Sequence, residues 1–441
     1  MKKRFGMFLG TLGLVVGGLA GGFWLASRDA APPDESEFAA ERPEVAPEDN
    51  AFTYFLEATN LLVEATNRQW FVDFRMGKAP ASDELRGLVA TNAECLALVK
   101  RGTECAICLP PPVETIGTPV PYVNPWLQMQ RVLEARSRLA RLDGRFADAA
   151  DDLAVGMRFG DLVQKDASSL IAYLVGVAIF SSSAESAMEL ARDPAAPPEA
   201  LAQLAAELET IGPFDAGLKL ALKAEHRMAC GIVDGWGRWR DPMAPSTCGK
   251  SGVRQKLLSR FRNSKYLFKP NETKHELAKA HRRLIANTPL SYSEMAFGEA
   301  ADESRGPTFF LRPNAVGRSL LVILTPTLDK LLDTKCVAEG VLIGAKLVVA
   351  CNRFARDKGR WPETLAELVP DYLSEVPRDP YDGEPFRYSA EKGLVWAVGT
   401  NLTDESGSML VPGVEQATTA GRDRRRAEDF VFELRAMEKA E

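Results

Sequence analysis

The chain has 441 residues, 46% of them hydrophobic and 26% charged, a balance that excludes a disordered polypeptide and supplies a sizeable core. Lys+Arg 54 against Asp+Glu 60 gives a formal net charge of -6, with both signs mixed along the chain, which excludes the basic footprint of a nucleic-acid-binding protein. The basic cluster Arg422-Asp423-Arg424-Arg425-Arg426 has an aspartate inside it and reads as a solvated loop.

Met1-Lys2-Lys3-Arg4 precedes an uncharged run from Phe5 to Ala26, long enough to cross a hydrocarbon core of about 30 Å. The stretch after it is acidic and rich in proline, so the positive flank marks the cytoplasmic side. We read residues 1–26 as a cytoplasmic tip and a transmembrane anchor. It is read as retained because Leu25-Ala26-Ser27-Arg28-Asp29-Ala30 makes a poor cleavage site, and no cysteine follows that could carry a lipid. The expected location is the inner (cytoplasmic) membrane, single-pass, with the bulk of the chain in the periplasm and other envelope proteins as partners. Gly6, Gly10, Gly13, Gly17, Gly18, Gly21 and Gly22 include pairs four apart, a spacing that lets two spans pack closely as a homodimer. Residues 27–49, in which prolines alternate with Asp and Glu, read as a tether, disordered or extended.

Residues 50–317 read as a helical domain with apolar positions at 3.6-residue spacing. Asp49-Asn50 caps a helix from Ala51 to Trp70, and Ser82 caps one from Asp83 to Lys100. Asn124-Pro125 starts a helix to Leu142, Asp143-Gly144 breaks it, and Arg145 to Lys165 follows with Ala147, Ala149, Ala150 and Ala154 at close-packing spacing. The run from Leu139 to Leu153 resembles a tetratricopeptide hairpin, although no regular 34-residue repeat surrounds it. Ala167 to Ala184 carries no charge, but its apolar core is short and five serines lie within it, so it reads as a buried central helix. Helices are expected over 198–211, 214–233, 250–262, 272–285 and 318–358, the last kinked at Pro326.

The tail, residues 318–441, carries the most specific pattern. An apolar helix runs into Gly359-Arg360-Trp361-Pro362-Glu363-Thr364-Leu365, followed by Val376-Pro377-Arg378-Asp379-Pro380-Tyr381-Asp382-Gly383-Glu384-Pro385-Phe386-Arg387-Tyr388. It resembles the soluble half of a type II secretion major pseudopilin. That resemblance implies a long helix ending at Gly359, a short helix from Pro362 to Leu368, and a small antiparallel sheet with turns at Asp379-Pro380 and Asp382-Gly383. It also implies calcium in the loop Gly399 to Gly407, with Asp404 and Asp429 as the carboxylate ligands, since a hard cation takes oxygen donors. Here the membrane run lies far from the long helix, whereas a pseudopilin fuses the two. Together, anchor, helical middle and tail resemble uncharacterised envelope proteins of bacteria such as planctomycetes and verrucomicrobia, which have no assigned activity.

Three catalytic patterns are read as structural. Ala244-Pro245-Ser246-Thr247-Cys248-Gly249-Lys250-Ser251 fits a relaxed phosphate loop, but no strand precedes it. Cys105-Ala106-Ile107-Cys108 has no second pair, and His226, His275 and His281 are far apart in sequence, so structural disulfides are expected, Cys230 with Cys248 being one pairing among those the sequence leaves open, with one of the seven cysteines left over. No Gly-x-Ser-x-Gly or His-Glu-x-x-His occurs, and His226 reads as a packing residue within a helix. The sequence therefore reads as a mainly α, membrane-anchored binding or scaffold protein without catalysis. The alternative is an enzyme or small-ligand receptor whose site is assembled from distant helices.

Overall fold

The computed structural model describes residues 22, 24–39, 42–65, 68–75, 77–113, 115, 117–236, 265–297, 309, 312–325, 329–411 and 427–435. The anchor run, the phosphate-loop-like stretch 244–251, the expected helix 250–262 and Cys248 lie almost wholly or wholly outside these residues. What is described is mainly helical with one small sheet.

Asn50 starts helix α1, Ala51–Leu61, by accepting the amide of Phe52 at 3.1 Å, and it also takes the amide of Leu109 at 2.9 Å. Helix α1 stops short of Trp70, and α2, Arg68–Arg75, follows. Ser82 caps α3, Asp83–Thr91, which gives way to α4, Ala93–Gly102, instead of running on to Lys100 unbroken. Asn92 accounts for both interruptions. Its buried amide accepts Val63 N and donates to Val63 O, each at 2.9 Å, so it satisfies the opened backbone after α1 from the point where α3 itself ends.

The hairpin of α5, Val123–Leu142, and α6, Phe146–Lys165, turns on Gly144 at φ +77°. Ser169 caps α7, Leu170–Ala191, by accepting Ala172 N at 3.2 Å. By length and composition α7 could cross a membrane, yet Tyr173, Ile179 and Phe180 are fully buried and α7 packs on α6. It is the central helix expected from its serines and flanks. Helices α8, Pro198–Thr210, and α9, Asp215–Trp236, follow, and α10, Pro270–Asn287, lies along α9. The expected kinked helix over 318–358 is two helices, α11, Ala315–Leu324, and α12, Asp329–Lys358.

Helix α12 ends at Gly359, φ +68°, and the short second helix is one 3-10 turn, Leu365–Leu368, closed by a Thr364/Glu367 capping box. Strands β1, Arg387–Ser389, β2, Leu394–Ala397, and β3, Phe430–Glu433, form an antiparallel sheet in that order, with Val395 opposite Phe432. Gly340 and Gly344 of α12 leave room for the rings of Phe430 and Phe432, so the sheet lies directly on the helix. One apolar core holds Tyr173 and Phe214 together with Val348 and Phe432, and so contains residues from both sides of the 317/318 boundary.

The segment read as a tether is extended but docked. Phe38 is fully buried, Asp29 accepts the amides of Asn271 and Glu272 at the start of α10, and Arg282 binds the Glu37 carboxylate at 2.5 Å. Composition suggested a solvated chain. Here its acids meet the N-terminus and basic face of α10, and its single aromatic fills a gap between helices.

Candidate functional site

Three polar sites stand out among the described residues. The first is a cleft of about 770 Å³ between α12, the start of α9, the turn 289–294 and the Asp379–Glu384 turn. Its lining carries six carboxylates against three cations, Lys335, Lys346 and Arg378. Most of these groups are already engaged. Buried Lys335 donates to Leu290 O at 3.1 Å and pairs with Glu339 at 2.8 Å, while Arg378 donates to Gly383 O at 2.9 Å. Burial raises the Glu339 carboxyl above its ordinary range against the pull of Lys335. Asp379 anchors the turn: its carboxylate accepts Tyr381 N at 2.7 Å and Val398 N at 2.9 Å and pairs with Arg387 at 2.6 Å. Burial, helped by Asp382, nevertheless pushes Asp379 up to about 6.

The second site is the loop expected to bind calcium. Asp429 is fully buried and accepts Gly407 N and Ser408 N at 2.9 Å and Glu405 N at 3.4 Å. Asp404 accepts Trp396 Nε1 at 2.9 Å and Ser406 N at 2.8 Å. Both predicted carboxylates thus face the same short loop, where N–H groups occupy them. Asp429→Ala strands these buried amides and is expected to lower unfolding free energy by about 3 kcal/mol, measured by urea titration with and without calcium. A calcium-dependent rise in Tm that this variant abolishes would instead mark the loop as a cation site.

The third site was only half legible in the sequence. His226 and Cys230 are four apart on α9, which puts both side chains on one face. Glu35 reaches them from the docked segment and His281 from α10. Cys230 Sγ lies 3.4 Å from His226 Nε2 and 3.2 Å from Glu35 Oε1, and the latter two atoms are 3.9 Å apart. Among the described residues this is the group of three potential ligand side chains whose donor atoms all lie within 4.8 Å of one another. Phe38 stacks on the His226 ring at 3.7 Å, and the two imidazole centroids are 5.1 Å apart. Burial, with His281 and then Arg282, Lys274 and Arg227 nearby, holds His226 down at about 3, so the ring is neutral. Burial and the Glu35 hydrogen bond raise the Cys230 thiol. His226 does pack in a core, as expected, but in one that also contains three other ionisable groups. The His-x-x-x-Cys spacing was the visible signal; its partners come from residues 35 and 281.

No disulfide joins the described cysteines, and the pairing of Cys230 with Cys248 involves a residue outside them. Cys95, Cys105, Cys108, Cys230, Cys336 and Cys351 are all unbridged. Cys108 is buried with its amide on Asp166, and Cys105 Sγ lies against Glu48 O. Burial pushes the Cys336 and Cys351 thiols up to about 12, which makes them inert packing groups.

No family model, curated protein or solved structure matches the chain.

Proposed function

We propose that the chain is a membrane-anchored binding protein of the bacterial envelope that holds a basic polypeptide segment of a partner in the cleft beside α12. The run Phe5 to Ala26 supplies the anchor, and the tail, read as pseudopilin-like, forms one wall of the cleft. The observation that carries this reading is the cleft's charge: six carboxylates against three cations, several of them fixed by internal pairs rather than poised for proton transfer. The test is affinity purification of tagged full-length protein from gently solubilised membranes, compared with Asp215→Lys plus Glu384→Lys at the cleft rim. A partner recovered with the parent and lost with the unimpaired double variant is expected. A partnerless parent, or a partner indifferent to both charges, sinks the proposal.

One observation favours a small-ligand receptor or enzyme instead. The cleft has a volume usual for small-molecule sites, and Asp379 within it is shifted towards neutral pH. A metabolite that raises the Tm of the parent but not of the rim variant would support that reading.

A further inference from the structure

We propose that Glu35, His226 and Cys230 bind one divalent transition-metal ion of the zinc class, forming a clasp that ties the segment after the apolar N-terminal run to α9. This goes beyond the cleft reading and does not depend on it. The three donor atoms are separated by 3.2, 3.4 and 3.9 Å. A tetrahedral ion with bonds of about 2.0–2.3 Å has ligand-to-ligand edges of roughly 3.3–3.8 Å, so the triangle already has the size of one tetrahedral face. The donor set also matches in kind. Imidazole, thiolate and carboxylate are the zinc ligands, and the two anions neutralise a dication in a site where His226 and Cys230 are buried.

His281 supplies the second, independent observation. Its Nδ1 contacts Leu277 O at 2.9 Å, and because a carbonyl can only accept, that nitrogen carries the proton. The lone pair is then on Nε2, which is buried without a partner in a ring that is itself fully buried. A backbone carbonyl that fixes the tautomer in this way is the usual support for a ligating histidine. His281 thus stands beside the triangle as a second neutral imidazole, 5.1 Å from the His226 ring centroid to centroid, and water takes the fourth position. Two cations around the site are offset by carboxylates of their own, Lys274 by Asp234 and Arg282 by Glu37, while Arg227 donates to Phe38 O. Glu35, partly exposed, forms the open side through which an ion enters. On binding, the Cys230 S–H bond is replaced by a sulfur–metal bond and the proton passes to solvent.

The consequence is mechanical. Glu35 belongs to the docked stretch that begins directly after Ala26, so an ion bound there fixes how the helical body sits on its anchor. The experiment uses full-length protein in detergent, stripped with a chelator and then titrated with zinc or cobalt(II). Bound metal is counted by mass spectrometry, and thiolate-to-cobalt absorption reports the sulfur ligand. Expected are one ion per chain, a cobalt–thiolate band, and slower proteolysis between residues 27 and 45 with zinc. Cys230→Ser should lose the band and His226→Gln most of the affinity, while Cys105→Ser keeps both. Glu35→Gln, on the docked segment, should weaken binding without disturbing the helices, so retained circular dichroism separates ligand loss from misfolding. No retained metal in the parent, or a band that survives Cys230→Ser, overturns the proposal and leaves a hydrogen-bonded Cys–Glu–His cluster.

Discussion

Gly160→Ala is expected to lower the unfolding free energy by about 3 kcal/mol. A Cβ at Gly160 of α6 would sit 2.3 Å from Phe180 N and 2.7 Å from Gly176 O, both backbone atoms of α7. Gly176 and Gly217 face Gln164 in the same way, with Cβ positions 2.4 Å from its N and 2.2 Å from its O. Three helices therefore cross with their backbones nearly touching, and no rotamer change can absorb the added carbon, so the helices must part and lose burial along their length. Gly87 is the control: it lies inside α3 with nothing within 4 Å of a Cβ, so Gly87→Ala should gain about 0.5–1 kcal/mol of helix propensity. Urea titrations followed by circular dichroism read both. Equal, small effects at the two positions would show that the helices are not in backbone contact.

Stability is expected to fall as pH rises from about 4 to 6, and Asp379→Asn should flatten that fall. Asp379 is 1% exposed, and burial, then Asp382, moves its carboxyl from the ordinary 3.8 to about 6. In that window the folded chain binds more protons than the unfolded chain, so unfolding becomes easier as pH increases. The contribution is fully present below the unfolded value and lost above the folded one, about 3 kcal/mol for a shift of this size. Other carboxyls titrate in the same range, Asp429 among them at about 6, so the informative quantity is the difference between parent and variant. Urea unfolding at half-unit steps from pH 4 to 7 measures it. Parallel curves for the two proteins would show that Asp379 carries no such shift.

The helical class, the hairpin at Gly144, the caps at Asn50 and Ser82, the end of α12 at Gly359 and the turn at Asp379 were all legible in the chain, because each depends on residues a few positions apart. The breaks at Leu62 and Asn92 were not. A single buried amide decides both, and nothing in the local pattern says that residue 92 will meet residue 63. The docking of residues 29–38 was hidden for a related reason: an acidic, proline-rich composition describes the free chain, whereas α10 presents amides and arginines that the composition cannot anticipate.

The same division applies to the sites. Asp404 and Asp429 could be named from the sequence, while only the fold shows that N–H groups already fill them. His226 and Cys230 could be paired on a helix, but Glu35 and His281 join them through tertiary packing alone. Periodicity, capping and turn chemistry act over a few residues and are written locally, so the sequence by itself determined the helical class, the helix starts at Asn50 and Ser82 and the tail's turns. Which faces meet, and which charged groups are forced together out of water, depends on burying apolar surface over the whole chain, and only the tertiary structure decided that.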